Sequence, residues 1–438
     1  MLMRHRILRS AALLAMGLCG ASSARAFSFE WHFRCGAEGH GKAKDVVSLS
    51  ASLLYSEGKG FGFDLGPAPV VRDGACVSDG AFFLSIAVPD GNYVVSVELG
   101  NDASSSVTTV KAESRRLMLL SVAAEARQTV MRSFGVNVRT PHIEGGKEVH
   151  LKPREIGSLD WDGKLTLEFI GKSPSVRSIW VKKVDDVPTV YLAGDSTVVD
   201  QDKEPWAAWG QMLPRFFNGS ISVSNQAESG ETIRSFETEN RFAKIASTIK
   251  RGDYLFMQFA HNDQKPGSGF VSILDYKGLL LKYIELARAK GATPVLVTSM
   301  NRRNFDAEGK IVMTLGDYPE ATREVAKEQK LALIDLNAMS RTLFETMGPE
   351  GTLKAFVHFP ANTFPDQAEE LKDNTHFTDY GAYELARCVV KGIRESGLPL
   401  ASAVVNDEMR FDPAQPDDPT GLVLPQDPQV STATPYGR

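Results

Sequence analysis

From Thr189 to about Ser396 the sequence alternates between short apolar runs and longer amphipathic stretches, and this alternation restricts the fold more than any other feature. The short runs have the length of strands. The longer stretches repeat apolar residues at helical spacing, as Leu280, Tyr283 and Ala287 do. Strands separated by helices predict a parallel sheet covered by helices on both faces, with ligands bound at the carboxyl ends of the strands. The sequence therefore predicts an α/β domain whose functional residues follow its strands.

The predicted elements of this domain follow one another in order along the chain. The strands are residues 190–193, 221–225, 254–259, 294–298 and 331–336. The helices are residues 206–217, 233–250, 273–289 and 317–330. Residues 337–347 follow the last strand, and Thr378 is the predicted N-cap of a final helix that runs through Arg394.

The preceding part of the chain, residues 27–187, has a different pattern. Short alternating runs at residues 82–88 and 93–99 flank the tight-turn sequence Pro89-Asp90-Gly91-Asn92, and similar runs occupy residues 164–170 and 176–181. Repeated short strands with turns predict a β-sandwich. A length of 438 residues fits two domains. We therefore expect a β-sandwich domain at 27–187 and an α/β domain at 188–400.

Residues 1–26 have the features of a cleavable signal peptide. Arg4, Arg6 and Arg9 precede an apolar run that is too short to span a bilayer, and the sequence Ala24-Arg25-Ala26 fits a cleavage site. The mature chain would begin at Phe27 and be periplasmic or secreted. A lipid-anchored alternative would use Cys19 instead.

Residues 401–438 are rich in Pro, Asp, Gln and Thr, and we expect this tail to be extended or disordered. Removing the four arginines of residues 1–26 would take the formal net charge from −5 to −9. An acidic chain without a basic run argues against non-specific nucleic-acid binding. No segment after the signal is long and apolar enough to predict a membrane helix.

Three cysteines would remain after cleavage. Cys35 and Cys76 lie in the N-terminal domain, where an exported compartment permits a disulfide, and the alternative is a pair of buried free thiols. Cys388 falls within the final helix, and we expect it to be buried and inert. The sequence has no Cys-x-x-Cys or His-x-x-x-His zinc pattern.

A serine, a histidine and an aspartate stand in positions that suit nucleophilic catalysis. Ser196 directly follows the first strand of the α/β domain, within Gly194-Asp195-Ser196. A serine hydroxyl needs a neighbouring base, and His376 is the candidate. Asp373 precedes it by three residues, so both side chains would share one face of a helical turn at the start of the last helix. The sequence predicts a triad of Ser196, His376 and Asp373.

A triad of this kind also needs donors for the oxyanion that forms during acyl transfer. The backbone N–H groups of Ser196 and Gly230 and the side-chain amide of Asn262 are the candidates, since each residue follows a predicted strand or its loop. Taken singly, these motifs are more often ordinary turns or helix starts. A metal site is the alternative for a set of four residues: His261, Asp263, Asp373 and His376.

Other side chains near these motifs have two interpretations. Arg302 and Arg303 follow the fourth strand and are candidates for binding a uronate, although solvated or ion-paired arginine is the commoner role. Trp206 and Trp209 are candidates for stacking on sugar faces, and the alternative is that both pack against helices. His358 either supports the site loop or is purely structural.

Together these motifs resemble the SGNH (GDSL-type) hydrolases and, more narrowly, the rhamnogalacturonan acetylesterase family, carbohydrate esterase family 12. Across the second domain the resemblance rests on nine motifs: Gly194-Asp195-Ser196-Thr197-Val198, Trp209-Gly210-Gln211-Met212-Leu213, residues 225–230, Arg234-Ser235-Phe236, Arg241-Phe242, His261-Asn262-Asp263, residues 298–305, Gly316-Asp317-Tyr318-Pro319, and Asp373 to Phe377. The N-terminal domain resembles an accessory domain of bacterial members through Val136-Asn137-Val138-Arg139 and Leu151-Lys152-Pro153-Arg154-Glu155. The sequence departs from the family at Ala260, where glycine is usual.

The resemblance implies a flavodoxin-like three-layer α/β/α fold and deacetylation of plant cell-wall polysaccharide such as pectin, with no metal or organic cofactor. It assigns the nucleophile to Ser196, the oxyanion donors to Gly230 and Asn262, and the acid and base to Asp373 and His376. Two alternatives stay open: a lipid or thioester acylhydrolase with the same triad, and a sugar-binding module whose hydrolase domain is inert.

Overall fold

The computed structural model describes residues 29–36, 46–405, 410–422 and 424–435. The predicted signal peptide, its cleavage site and Cys19 lie outside the described residues. Most of the N-terminal strands form two sheets, and β11 His142–Ile143 pairs separately with β12 Lys147–Glu148. The first sheet contains β1 Glu30–Cys35, β2 Val46–Leu49, β4 Val70–Arg72, β5 Ala75–Val77, β7 Gly91–Leu99, β10 Val130–Val138 and β14 Ser175–Val184. The second contains β3 Phe61–Asp64, β6 Phe82–Ala87, β8 Ser106–Ala112, β9 Arg116–Ala124 and β13 Lys164–Lys172.

One apolar core lies between these two sheets. Val95 of β7 and Ile179 of β14 face Leu84 of β6 and Leu167 of β13, and all four side chains are buried. The tight turn between β6 and β7 carries the chain from one sheet to the other rather than joining a hairpin, since the two strands have different partners. The arrangement agrees with the predicted sandwich. A disulfide joins Cys35 to Cys76, which resolves the two alternatives for this pair.

The second half of the chain forms the expected parallel sheet. Its strands are β15 Thr189–Gly194, β16 Ser222–Asn225, β17 Tyr254–Gln258, β18 Thr293–Val297 and β19 Ala332–Ile334. They stand in the order β16-β15-β17-β18-β19, and all neighbours are parallel. This is the 2-1-3-4-5 order of flavodoxin-like sheets.

Helices cover both faces of this sheet. They are α1 Trp209–Met212, α2 Ile233–Thr238, α3 Arg241–Thr248, α4 Ile273–Ala289, α5 Tyr318–Glu328, α6 Leu336–Gly351 and α7 Asp379–Glu395. Along β15, Val190 and Leu192 pack with α1, α6 and α7, whereas Tyr191 and Ala193 pack with α2 to α5. Side chains on a strand alternate between its two faces, so β15 contributes to both cores and the domain has three layers, as predicted. Within the described residues, no helix has both the length and the apolar composition needed to cross a membrane.

Two of the predicted helices differ from the structure. The helix expected at 206–217 is shorter: α1 begins at Trp209, and a 3-10 turn, Leu213–Phe216, follows it. The helix expected at 233–250 is divided into α2 and α3 by Asn240, which has φ +62°. Asparagine is one of the few residues that adopt this left-handed conformation readily, so it breaks the helix without glycine or proline.

The two sheet systems are in direct contact. Strand β10, at the edge of the first sheet, crosses the edge strand β16 at Gly135. A Cβ atom on Gly135 would lie 2.2 Å from the carbonyl oxygen of Ile221. Only glycine therefore permits this approach of the two backbones.

Where the structure describes it, the C-terminal tail is held against the rest of the protein. Asp427 N donates to Glu204 Oε1 at 3.1 Å, and Lys111 Nζ donates to the Pro425 carbonyl oxygen at 3.1 Å. Trp206 Nε1 donates to the carbonyl oxygen of Ser431 at 2.8 Å. The composition predicted an extended or disordered tail, and the described residues of the tail are ordered by these contacts. Composition could not indicate this, because the partners lie more than two hundred residues away in the sequence.

Candidate active site

Ser196, His376 and Asp373 form a continuous hydrogen-bonded chain. His376 Nε2 lies 2.9 Å from Ser196 Oγ, and His376 Nδ1 lies 2.9 Å from Asp373 Oδ2. With its proton on Nδ1, the neutral imidazole donates to the carboxylate and accepts from the serine hydroxyl. All three side chains are buried, and Ser196 and His376 are each only 1% exposed. The structure thus brings together the three residues of the predicted triad, in a geometry suited to proton transfer from the serine.

A short loop after β15 positions Ser196. Asp195 Oδ1 accepts hydrogen bonds from the N–H of Thr197 at 2.9 Å and from its hydroxyl at 2.7 Å, and the Asp195 carbonyl accepts from Val198 N at 2.9 Å. Burial alone would raise the pKa of Asp195, but His261 and the hydrogen bonds from Thr197 hold that pKa below its usual value. The ionised Asp195 therefore fixes the turn that presents Ser196 at the carboxyl end of the sheet.

Asp373 and His376 stand in a strand, so the expectation of a helical turn is wrong. They belong to β21 Leu371–Phe377, which pairs antiparallel with β20 Phe356–Phe359 just before α7. Asp373 Oδ1 accepts from the backbone N–H groups of Thr375 at 2.7 Å and His376 at 2.9 Å. The carboxylate folds back on its own backbone, and this local bend brings the two side chains together without a helix.

The surroundings of Asp373 keep it ionised. Burial would raise its pKa, but the hydrogen bond and charge of His376, together with the two backbone N–H groups, lower the pKa to about 2. A carboxylate that stays negative at neutral pH is suited to hold an imidazole in one orientation and to stabilise its protonated form, as the aspartate of a catalytic triad does.

Gly230 and Asn262, the two other predicted oxyanion donors, lie in loops that a hydrogen bond joins. Gly230 is the third residue of a turn closed by a hydrogen bond from Glu231 N to the Glu228 carbonyl at 3.3 Å, and its φ is +83°. Asn262 Nδ2 donates to the Glu231 carbonyl at 2.9 Å, which anchors the side-chain amide beside that turn. Their role as oxyanion donors stays a prediction.

Ala260, where the sequence departs from the family, has φ +151° and is almost fully buried. This backbone region favours glycine, so the Cβ of Ala260 is held in a strained conformation directly before His261 and Asn262. Alanine in place of glycine therefore raises the conformational energy of the loop, but the hydrogen bond from Asn262 to the Glu231 carbonyl is still present.

The predicted substrate-contact residues have structural partners. Arg302 donates from Nη2 to the His261 carbonyl at 3.1 Å, and Arg303 donates to the Pro349 carbonyl at 2.8 Å and to Asn374 Oδ1 at 3.3 Å. Both arginines thus hold loops around the site. Their predicted contact with a uronate stays a prediction.

The tryptophans and His358 are also packed or bonded. Trp206 is buried and packs against the His376 ring at nearly a right angle, with ring centroids 5.9 Å apart, and its burial leaves no face open to a sugar. Trp209 is buried and donates to Gln258 Oε1 at 2.8 Å. His358 Nε2 lies 2.9 Å from Asn374 Oδ1 and so supports the strand that carries Asp373.

The four residues of the alternative metal site do not converge on one point. Asp373 and His376 bond each other, whereas Asp263 Oδ1 accepts from Ile233 N at 2.9 Å. Burial raises the pKa of Asp263 to about 7, which disfavours the charged form that a metal ligand needs. Among the residues that the structure describes, no group of three or more His, Cys, Asp or Glu side chains is arranged to hold a metal ion.

Three residues of the N-terminal domain reach this site and were not predicted. Arg115 donates to the Trp206 carbonyl at 2.9 Å and pairs with Asp379 at 3.1 Å. Lys152 donates to the Ser229 carbonyl at 2.8 Å, and Arg154 pairs with Glu228 at 3.0 Å. The charged segment around Lys152 was visible in the sequence, but no local pattern links it to a loop 77 residues further on.

The model of the GDSL-like Lipase/Acylhydrolase family matches residues 192–382, which contain every predicted catalytic residue. Rhamnogalacturonan acetylesterase RhgT of Bacillus subtilis is 44% identical over 221 residues, covering 50% of this chain and 95% of that protein.

The similarity extends into the N-terminal domain for one relative. The uncharacterized esterase YxiM of Bacillus subtilis is 29% identical over 374 residues, covering 80% of this chain and 88% of that protein. A crystal structure of the YxiM protein matches with a TM-score of 0.46 and 25% identity, covering 85% of this chain and 99% of that one.

Proposed function

Because the chain belongs to the GDSL-type (SGNH) hydrolases, in their rhamnogalacturonan acetylesterase family, we propose that it removes acetyl groups from an acetylated plant cell-wall polysaccharide through an acyl-enzyme on Ser196. Carboxylic-ester hydrolysis follows from the family. The observation that carries the mechanism is the hydrogen-bonded chain from Ser196 Oγ through His376 to Asp373, at 2.9 Å for each link.

In the first half-reaction, Ser196 Oγ attacks the acetyl carbonyl carbon while His376 Nε2 takes the hydroxyl proton. The carbonyl oxygen becomes an oxyanion, and the N–H groups of Ser196 and Gly230 and the Asn262 amide stabilise it. The carbon–oxygen bond to the sugar then breaks, and His376 returns the proton to the sugar oxygen. The products of this half-reaction are a free sugar hydroxyl and an acetylated Ser196.

In the second half-reaction, water attacks the acetyl group on Ser196, again with His376 as the base. Acetic acid leaves and ionises to acetate in the solvent, and His376 returns the proton that it took from water to Ser196 Oγ. Asp373 remains ionised throughout, since its pKa is lowered to about 2, and it stabilises the imidazolium in both halves.

The confined surroundings of the nucleophile support a short acyl group. Ser196 and His376 are each 1% exposed, and Trp206 packs against the imidazole. A confined nucleophile admits a two-carbon acyl chain with less rearrangement than a fatty-acyl chain. This favours the acetylesterase over the lipid or thioester acylhydrolase that was left open.

We further propose that the protein is exported and cleaved after Ala26, on the basis of the charged and apolar segments at the start of the sequence. Expression in a Gram-negative host and mass spectrometry of the periplasmic fraction check this, with a mature chain beginning at Phe27 as the expected result. Retention of the intact N-terminus in the cytoplasm would contradict it.

The substrate is tested by measuring acetate release from acetylated rhamnogalacturonan, homogalacturonan and xylan, each matched with a chemically deacetylated control. We expect release from a pectic fraction to be fastest. A second series, with acetyl and octanoyl esters of one leaving group, should favour acetyl. Faster octanoyl hydrolysis would indicate the lipid or thioester enzyme, and binding to pectin without any hydrolysis would indicate the inert sugar-binding module.

A further inference from the structure

The turn that carries Gly230 is held by the N-terminal domain at its central peptide group. Lys152 Nζ donates to the carbonyl oxygen of Ser229 at 2.8 Å. That carbonyl and the Gly230 N–H belong to the same peptide unit, which is planar and trans, so the two groups point in opposite directions. An ammonium group that fixes the carbonyl therefore also fixes the direction of the N–H.

A contact from outside the turn is needed to fix the orientation of this peptide unit, because the unit can flip at little energetic cost. The turn from Glu228 to Glu231 has Gly230 in its third position with φ +83°, the value of a type II turn. Type I and type II turns differ by a flip of the central peptide, and glycine populates both conformations at little cost. A flip would direct the Ser229 carbonyl, rather than the Gly230 N–H, toward the oxyanion.

Lys152 is itself firmly anchored. Its ammonium group pairs with Glu231, on the other side of the turn, and its backbone N–H donates to Glu155 Oε2 at 2.8 Å. Glu155 in turn pairs bidentately with the buried Arg241 of α3, at 3.0 and 2.5 Å. The lysine is thus set by a buried charge network that spans both domains, and its position is not that of a free surface side chain.

The neighbouring Arg154 adds a second hold on the same turn. Its Nε pairs with Glu228 Oε1 at 3.0 Å, and that oxygen also accepts from Ser229 N at 2.7 Å. Arg154 Nη2 further donates to Gln201 Oε1 at 3.3 Å, and Gln201 Nε2 donates to the Ser196 carbonyl at 3.2 Å. The segment from Lys152 to Glu155 therefore contacts the nucleophile loop and the Gly230 turn together.

We propose that Lys152 is a positioning residue for the reaction: through the Ser229 carbonyl it holds the Gly230 N–H in the orientation that an oxyanion donor requires. The N-terminal domain is then part of the machinery for transition-state stabilisation. This inference rests on the proposed function, in which Gly230 is an oxyanion donor.

The test uses the full-length protein with the substitution Lys152→Met, which keeps most of the aliphatic stem and removes the ammonium group. Loss of one oxyanion donor costs on the order of 10²–10³ in rate, so we expect kcat on a small acetyl ester to fall by at least about tenfold, with KM changed less than about twofold. Lys152→Arg restores a donor and should recover part of the loss. Lys147→Met, at an exposed position of the same domain, is the matched control and should behave as wild type.

A second readout separates orientation of the donor from a general loss of structure. A trifluoromethyl ketone forms an adduct with serine that carries an oxyanion, and its affinity should fall by the same factor as kcat/KM in Lys152→Met. A merely structural role would lower the thermal midpoint and leave the adduct affinity of the folded protein unchanged, which would overturn the inference.

Ser196→Ala, assayed beside these variants, separates this inference from the proposed function. An inactive Ser196→Ala together with a fully active Lys152→Met overturns only the role of Lys152. An active Ser196→Ala overturns the serine mechanism and, with it, the positioning role that depends on it.

Discussion

Asp373 supplies the negative charge of the proposed triad. Its pKa is lowered to about 2 by His376 and by two backbone N–H groups, against the effect of burial. Because the folded-state pKa lies below that of an unfolded aspartate, the ionised carboxylate stabilises the fold above about pH 4, and this contribution is lost as the pH falls towards 2. The difference in pKa corresponds to about 2 kcal/mol.

We therefore predict two effects of Asp373→Asn. The value of kcat should fall on the order of 10³–10⁴-fold, because an amide can hold the imidazole in the wrong tautomer. At pH 5 the variant should have a lower free energy of unfolding than wild type. This difference should become about 2 kcal/mol smaller between pH 5 and pH 2, because the wild type loses its ionised carboxylate over that range. Urea denaturation at each pH measures this, with Asp79→Asn at an exposed position as the control. A difference that stays constant with pH would contradict the account.

At the residue scale, the sequence was sufficient to select Ser196, His376 and Asp373 as candidates, since Ser196 lies in one recognisable motif and Asp373 and His376 share another. It was not sufficient for the local geometry: the three-residue spacing suggested a helical turn, and the structure uses a strand with a side-chain bend. Lys152 could not be predicted as a site residue, because its contact with Ser229 depends on how two domains pack.

At the scale of elements, the corner between β8 and β9 supports the loop that follows Ser196. Arg115, in this corner, donates to the carbonyl oxygens of Gln201 at 3.3 Å and Trp206 at 2.9 Å, and it pairs with Glu204 at 2.5 Å. The C-terminal tail holds the same loop from another side, through Trp206 Nε1 and the Ser431 carbonyl. Two distant segments thus fix the indole that packs against His376.

We predict that Arg115→Met lowers the free energy of unfolding by about 3–5 kcal/mol, because it leaves the buried Glu204 carboxylate without its cationic partner. The value of kcat should also fall, because the Trp206 carbonyl loses the hydrogen bond that Arg115 donates to it. Thermal denaturation and ester hydrolysis measure the two effects. Arg132→Met, at an exposed position, serves as the control. Equal thermal stability and equal kcat of the two variants would argue against this role of Arg115.

The helices and strands of the α/β domain were predictable because each carries its own periodicity. α4 Ile273–Ala289 has the predicted bounds, with Ser272 accepting from Asp275 N at its start. The break at Asn240 and the tail contacts were not predictable. The break depends on the left-handed backbone conformation of one residue, Asn240, inside an otherwise helical apolar pattern. The tail contacts depend on residues that are distant in the sequence.

At the scale of the whole molecule, the N-terminal domain is tied to the α/β domain and also internally cross-linked. The Cys35–Cys76 disulfide joins residues 41 positions apart in the sequence. Closing a loop of this length restricts the unfolded chain by about 4 kcal/mol in the chain-entropy model. The sequence allowed this pairing but did not decide it, because the distance between the two strands is set only by the folded sheet.

We predict that the double variant Cys35→Ser/Cys76→Ser unfolds with about 3–4 kcal/mol less free energy than wild type, while its kcat at 25 °C stays within about twofold, since the disulfide lies apart from the triad. Addition of a reductant should destabilise the wild type and leave the double variant unchanged. Equal denaturation midpoints for oxidised wild type and the double variant would contradict a stabilising disulfide.

The central claim is that Ser196 is the nucleophile of an acetylesterase, and acetate release by wild type and Ser196→Ala tests it most directly. Both proteins are purified identically, compared by circular dichroism, and assayed on the same acetylated pectic fraction. We expect Ser196→Ala to keep its fold and to lose activity by a factor on the order of 10³–10⁶. A correctly folded Ser196→Ala that releases acetate within about tenfold of the wild-type rate would contradict the account.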